Sequence, residues 1–163
     1  MKNTNLLFLL IVIVPMALSS CEKDDIDKNT LQIDNQKYAI NYSYRFDYGW
    51  QDDYWTTEGY YWNNFIFAEN FTNNEPTGKY IYIEIHDYVP EPGGNYQISR
   101  NWADEPGIIF VEYGNYSYTM GTQVPSGSVS ISKNSDRYMV SIDGTDTYGN
   151  RVSLSYDGKI TKY

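Results

Sequence analysis

The segment from Tyr42 to Trp62 concentrates the side chains that could do chemistry, because ten of its 21 residues are tyrosine, phenylalanine or tryptophan. Its middle part, GWQDDYWTTEG from Gly49 to Gly59, has no hydrophobic period and contains glycine and charge, which is typical of a loop. Burying such a ring stabilises a fold by about 1.5–3 kcal/mol, so rings in a loop need a reason to be exposed. The rings and acids of this loop are Trp50, Tyr54 and Trp55, with Asp52, Asp53 and Glu58.

Flat rings beside carboxylates suit a sugar, whose C–H faces stack on aromatic rings while its hydroxyl groups donate to acids and amides. We therefore predict that these six residues bind a ligand, with Trp62 and Trp102 as further walls of the site. Tyrosine and tryptophan are also favoured at protein interfaces, so the rings alone leave a protein partner open. A third interpretation has the rings packed back as a lid over the sheet.

Catalytic constellations are poorly represented in the chain. The only histidine, His86, lies inside an alternating segment, and no G-x-S-x-G motif supplies a nucleophile for it to activate. A glycosidase needs only two carboxylates, but no spacing in the sequence pairs any two of the acids. We predict that the protein is not an enzyme and uses no cofactor. The acids that could serve in such a pair are Asp52, Asp53, Glu58, Glu69, Glu84 and Glu112.

Metal ligands are equally sparse. One histidine and one cysteine are too few for an ordinary zinc site. Asp143-Gly144-Thr145-Asp146 and Asn150 place oxygen atoms near one turn, but not in the order of an EF-hand loop. Aspartate and glycine usually serve the backbone in such turns, so we predict no metal.

The elements that must position these side chains are strands, because the dominant hydrophobic period beyond residue 30 is two. We expect one apolar, buried face and one polar, solvated face on each strand, and almost no helix. This pattern predicts about nine or ten antiparallel strands in a sandwich or small barrel. The alternating apolar sets run through residues 38–48, 81–85, 129–131, 138–142 and 152–156.

Turn residues divide the pattern into hairpins, and no linker or repeat interrupts it, so we predict one all-β domain over residues 31–163. Asp157-Gly158 suits a tight type I′ turn. The other predicted turns are Asn73–Gly78, Pro90–Gly94, Asn134–Asp136 and Tyr148–Asn150.

The first thirty residues contain a predicted targeting signal. Lys2 precedes the apolar run Leu6–Leu18, which as a helix spans only about 20 Å, too short for a permanent membrane span but suited to a signal peptide over residues 1–20. Leu18-Ser19-Ser20-Cys21 resembles the bacterial lipobox, which implies lipidation of Cys21, with palmitate among the acyl chains, and a membrane as one partner. Residues 21–30 are predicted to be an acidic flexible tether.

Two further patterns resemble Bacteroidetes surface lipoproteins. Lys23-Asp24-Asp25 is similar to their export signal, which implies an outer-membrane protein exposed on the cell surface. The segment 127–160, with G-x-V-x-I-x-K, Y-x-V-x-I-x-G-T-D and G-N-x-V-x-L-x-Y-x-G-x-I, resembles the C-terminal part of many small members. That resemblance implies a β-sandwich or flattened lipocalin-like barrel and carries no catalytic residue across.

The formal net charge of −9 argues against a nucleic acid partner, because the chain would repel phosphates, and removal of Lys2 makes it more negative. Acidity is compatible with a neutral glycan or a cationic partner. We therefore predict a non-catalytic, lipid-anchored surface binding or accessory protein, with glycan as the leading ligand. The alternatives are a structural or protein-interaction subunit of a surface assembly, or a barrel whose inward Ile and Tyr faces bind a small apolar ligand.

Overall fold

The computed structural model describes residues 28–52, 59–73, 75–100, 106–116 and 121–163. The predicted signal peptide, Cys21, most of the predicted tether and five of the predicted ligand-binding residues, namely Asp53, Tyr54, Trp55, Glu58 and Trp102, lie outside these ranges. The strands are β1 (Thr30–Ile33), β2 (Gln36–Ala39), β3 (Tyr42–Gln51), β4 (Tyr60–Thr72), β5 (Glu75–Asp87), β6 (Gly94–Ile98), β7 (Ile108–Tyr116), β8 (Thr122–Gln123), β9 (Ser126–Asn134), β10 (Arg137–Thr145), β11 (Arg151–Lys159) and β12 (Thr161–Lys162).

The described strands form one sheet that curls into a half-barrel, in the order β12-β3-β4-β5-β7-β6-β9-β10-β11-β1-β2, with β8 paired to β7. The all-β prediction is confirmed, and no helix among the described residues could cross a bilayer. Nine or ten strands were too few, because two-residue strands such as β8 and β12 are too short to show a period. The purely antiparallel prediction was also wrong, since β12 pairs with β3, and β6 with β7, in parallel. The second sheet of a sandwich is not present among the described strands.

The core fills the inner face of the curled sheet. Phe65 and Phe67 of β4 reach across it, Phe65 to the ring of Tyr138 in β10 at 5.9 Å and Phe67 to Tyr156 in β11 at 4.8 Å. The predicted apolar sets of β5, β9, β10 and β11 all face this core, as their alternation required. The curl therefore lets non-neighbouring strands bury one another's apolar faces.

In β3 the period of two is correct but the predicted face is wrong. Ser43 and Arg45 point inward, while Tyr42, two residues after the buried Ile40, is 41% exposed on the outside. Strand pairing is interrupted at Ile40 and Asn41, between β2 and β3, where the Ile40 amide donates to the Asn29 carbonyl and the Asn41 amide to the Ala68 carbonyl. Because of this interruption, the alternation of inward and outward residues in β3 does not continue that of β2. Arg45 can face inward because the interior supplies oxygen acceptors for its guanidinium group.

Two predicted turns differ from the structure. The Asn73–Gly78 turn is shorter, since β5 already begins at Glu75. Asp157-Gly158 is no turn but continues β11, with Gly158 opposite Tyr138. Glycine is needed there because a Cβ would lie 2.5 Å from the hydroxyl oxygen of Tyr156.

Candidate functional site

Trp50 and Asp52 are the described members of the predicted binding loop. Trp50 is the penultimate residue of β3, is 49% exposed, and donates from Nε1 to Oδ1 of Asp52 at 3.0 Å. Its ring contacts that of Tyr61 edge to face, with centroids 5.2 Å apart. The other side of the indole borders Gly59, where a Cβ would lie 2.7 Å from the ring. Trp50 therefore rests partly on its own hairpin rather than projecting freely.

Trp62 is the remaining described member and lies on the other face of the sheet. Tyr61 lies four residues before the inward Phe65 and therefore shares its face of β4, so the next residue, Trp62, points outward. The Trp62 ring lies 4.7 Å from Tyr48, and its Nε1 donates to Asn64 at 2.9 Å. The structure thus does not bring Trp50 and Trp62 together.

The cause of this separation is a bulge in β3. The pairing with β4 shifts between Asp47 and Gly49, and Gly49 has a φ of +72°, a left-handed conformation that glycine adopts at little cost. One extra residue in β3 leaves Tyr48 on the outside with Trp62, while Trp50 returns to the parity of Tyr61. The predicted 49–59 loop begins too early, because Gly49–Gln51 belong to β3, and the sequence could not show this reversal.

The sequence did not reveal a ladder of stacked rings on the outer face of β3, in which rings from β3 alternate with Phe71 and Tyr163. Phe71 stacks on Tyr44 at 4.2 Å and lies 6.5 Å from Tyr42. Tyr163 inserts on the other side, 5.4 Å from both Tyr44 and Phe46. Stacked rings of this kind stabilise by about 0.5–1.5 kcal/mol per pair beyond their buried area. Burial and the neighbouring hydroxyls of Tyr163 and Tyr42 raise the pKa of Tyr44, as expected for crowded phenols.

Together these rings form an exposed aromatic surface. Tyr42, Tyr48 and Tyr163 are exposed, Tyr163 by 63%, and the others are half-buried. The outward side chains of β3 from 42 to 48, of β4 from 60 to 68, and of β12 carry no charge. An uncharged surface of this size on so acidic a chain is a candidate binding site. We call it the outer aromatic face and define it as Tyr42, Tyr44, Phe46, Tyr48, Trp62, Phe71 and Tyr163.

A buried polar cluster borders this face on β5. His86, only 6% exposed, stacks on Tyr60 at 4.1 Å and contacts Trp62 edge to face. Its Nε2 lies 3.2 Å from Oε1 of Glu84, without hydrogen-bond geometry. Tyr82 donates its hydroxyl to Oε2 of Glu84 at 2.8 Å. The His86 ring therefore packs against the rings of Tyr60 and Trp62 on the neighbouring strand, and Glu84 lies next to His86 on the same face.

Glu112 of β7 is the second acid of this region. Because it pairs with Tyr82, it lies diagonally from Glu84 on the same face. Burial, together with the charge of Glu84, raises the pKa of Glu112, against a hydrogen bond from the Gly121 amide. A raised pKa suits a general acid, but the neighbouring Glu84 is only 3% exposed, which restricts access of a substrate to the pair.

Inside the half-barrel, Arg45 joins β3 to the 90–92 connection. Its guanidinium group donates to Asn63 Oδ1 at 2.6 and 2.8 Å, to the Pro90 carbonyl at 2.6 Å and to the Tyr138 hydroxyl at 3.0 Å, and it pairs with Glu91. Burial alone would raise the pKa of Glu91, but hydrogen bonds from Tyr138 and lysines and the charge of Arg45 lower it to about 2. Arg45 thus links the inner side of β3 to the connection between β5 and β6.

Asp146, one of the oxygen ligands considered for calcium, serves the β10–β11 turn. Oδ1 accepts the Tyr148 and Asn150 amides, both at 2.8 Å, while Oδ2 accepts the Tyr113 hydroxyl at 2.6 Å and the Asn150 side chain at 2.9 Å. Burial raises its pKa, but these donors outweigh burial and lower it. Within the described ranges, no three His, Cys, Asp or Glu side chains are grouped as metal ligands.

Comparison with known proteins found no protein family, no curated protein and no solved structure that matches this chain. Fold and site geometry therefore carry the functional argument by themselves.

Proposed function

We propose that this protein is a non-catalytic binding or accessory domain that holds a glycan on its outer aromatic face. The observation that carries this proposal is the exposed, uncharged run of rings along β3 and β4. Pyranose rings offer C–H faces to such aromatics and hydroxyls to tyrosine oxygens. This moves the site from the predicted 49–59 loop to the outside of the adjacent strands, with Trp62 retained and Trp50 on the opposite face.

The cellular location predicted from the sequence is the second part of the proposal. Lipidation of the Cys21 thiol, followed by removal of residues 1–20, anchors the chain, and Lys23-Asp24-Asp25 supports display at the outer surface of the outer membrane, as in the Bacteroidetes lipoproteins it resembles. Several acyl chains on one cysteine give stable anchoring. Cys21→Ala should release the protein from the membrane fraction, and protease added to intact cells should degrade the wild-type protein.

The half-barrel is compatible with a flattened lipocalin-like barrel as the finer description of the fold. The inward Ile and Tyr side chains pack into one core cluster with Phe65 and Phe67. This packing favours the outer face over the interior as the place for a ligand.

A glycan array tests the main proposal. Wild-type protein should bind at least one glycan, and Trp62→Ala should weaken that binding while Trp50→Ala leaves it unchanged, because the two indoles lie on opposite faces. Binding to no glycan would contradict the proposal. Equal losses in both variants would place the site elsewhere.

One observation favours a protein partner as the second candidate. Tyr44 and Phe71 stack with centroids 4.2 Å apart, so each covers one face of the other and these two rings present edges and a hydroxyl to a partner. Tyrosine edges of this kind are common in protein interfaces, where they supply area at little entropic cost. Co-purification of a membrane protein with wild type but not with Tyr48→Ala would support this candidate.

A further inference from the structure

The outer aromatic face is long and continuous in one direction. Its rings follow β3 from Tyr42 to Tyr48, a distance of roughly 20 Å at about 3.3 Å per residue. Phe71 and Tyr163 fill the intervals between the β3 rings, so the ladder has no break between Tyr42 and Phe46. A single sugar would cover only part of this ridge.

The basic residues of the same strands are turned away from it. Arg45 of β3 and its pairing partner Lys162 of β12 lie on the other side of the sheet, where both contact Glu91; Arg45 is fully buried there and Lys162 is 49% exposed. Glu84 and Glu112, on β5 and β7, share the outward side. A uronate or sulfate on this face would therefore meet no basic side chain of β3, β4 or β12, and the net charge of −9 on the chain would repel it.

The ring stacking also decides which polar atoms meet a ligand. The hydroxyl groups on this face are those of Tyr42, Tyr44, Tyr48 and Tyr163, and all but Tyr44 belong to exposed side chains. The stacked rings hold three of these hydroxyls in a row, and Tyr48 extends the row beside Trp62. Rings already fixed by stacking lose little freedom on binding.

We propose that the ligand of the outer aromatic face is an uncharged, extended glycan chain lying lengthwise along β3. This rests on the proposed function and adds the charge and the shape of the glycan. Ring edges and C–H groups supply apolar contact, and the tyrosine hydroxyls exchange hydrogen bonds with successive sugar units. An anionic chain would find no cation on the outward sides of β3, β4 and β12, and a monosaccharide would leave most of the contacts unmade.

Titration calorimetry on the full-length protein in detergent tests this inference. The probes are neutral polysaccharides (a mixed-linkage glucan, a xylan, a mannan), two acidic ones (polygalacturonate and alginate), and oligosaccharides of the best neutral binder. Affinity should rise at least about tenfold from disaccharide to hexasaccharide, and it should change little between low and high salt, because no ion pair is involved. Neither acidic polymer should bind.

Paired variants locate the contacts. Tyr42→Phe and Tyr48→Phe keep the rings but remove one hydroxyl each, and each should weaken binding by about two- to tenfold. Tyr148→Phe, on an exposed turn residue outside the face, should bind like wild type. A preference for an acidic polymer, a strong salt dependence, or equal affinity for disaccharide and hexasaccharide would overturn this inference while glycan binding itself stands. Binding to none of the probes or array glycans would instead contradict the proposed function.

Discussion

Replacing Arg45 by methionine removes the interior ion pair while keeping most of the side chain's volume. The guanidinium group is fully buried, so Arg45→Met leaves the Asn63 oxygen and the Pro90 carbonyl without their donor. Leaving a buried acceptor such as the Asn63 oxygen without its donor costs about 1–3 kcal/mol. The remaining Glu91 carboxylate adds less than a fully buried partner would, because it is 39% exposed and still pairs with Lys133 and Lys162. We therefore expect a loss of about 1–3 kcal/mol in the free energy of unfolding, measured by urea denaturation of the purified protein.

Arg137→Met is the matched control. Arg137 also pairs with a carboxylate, Asp157 Oδ1 at 2.8 Å, but its side chain is 52% exposed. Exposed pairs contribute only about 0–1 kcal/mol, so this variant should unfold close to wild type. If both variants lose similar stability, or if Arg45→Met is neutral, the interior role assigned to Arg45 is refuted.

Three further predictions concern stability and are measured by the same denaturation. Because the pKa of Glu91 is lower in the folded than in the unfolded state, its carboxylate stabilises the fold at pH values above the unfolded pKa. The free energy of unfolding should therefore fall as the pH drops from about 5 towards 2, and it should fall less in Glu91→Gln. A flat pH profile in both proteins would refute this role. Gly158→Ala should cost about 1–3 kcal/mol because its Cβ meets the anchored Tyr156 hydroxyl, whereas Gly93→Ala, with no atom closer than 3.9 Å, should be nearly neutral; equal effects would contradict the close approach. Asp146→Asn should cost about 1–3 kcal/mol, since a neutral amide replaces a carboxylate with four donors; an unchanged midpoint would show that the turn does not need the charge.

The sequence predicts strands wherever alternation coincides with local pairing. β9, β10 and β11 follow the predicted faces because they form hairpins with short turns, so register is fixed by neighbouring residues. In β3 the same alternation leads to the wrong face, because tyrosine can cover either side of a sheet. The inward position of Arg45 is decided by Asn63, Glu91 and Tyr138, which are remote in sequence, and no local period reports them.

The candidate site shows the same limit. Aromatic density draws attention to the segment from Tyr42 to Trp62, but composition cannot say which rings share a surface. The bulge at Gly49 separates Trp50 from Trp62, and the ladder depends on Tyr163, from the far end of the chain, stacking on Phe46. Only the pairing of β12 with β3 places that ring there.

The most direct test of a ligand site on the outer aromatic face compares two exposed tyrosines. Tyr48 is 49% exposed beside Trp62 at one end of the outer aromatic face, and Tyr148 is 79% exposed on the β10–β11 turn. Calorimetric titration of the best array glycan into Tyr48→Ala should give a Kd at least about tenfold weaker than wild type, or about 1.4 kcal/mol, while Tyr148→Ala binds like wild type. Unchanged binding by Tyr48→Ala, or an equal loss in Tyr148→Ala, would contradict the assignment of the site to this face.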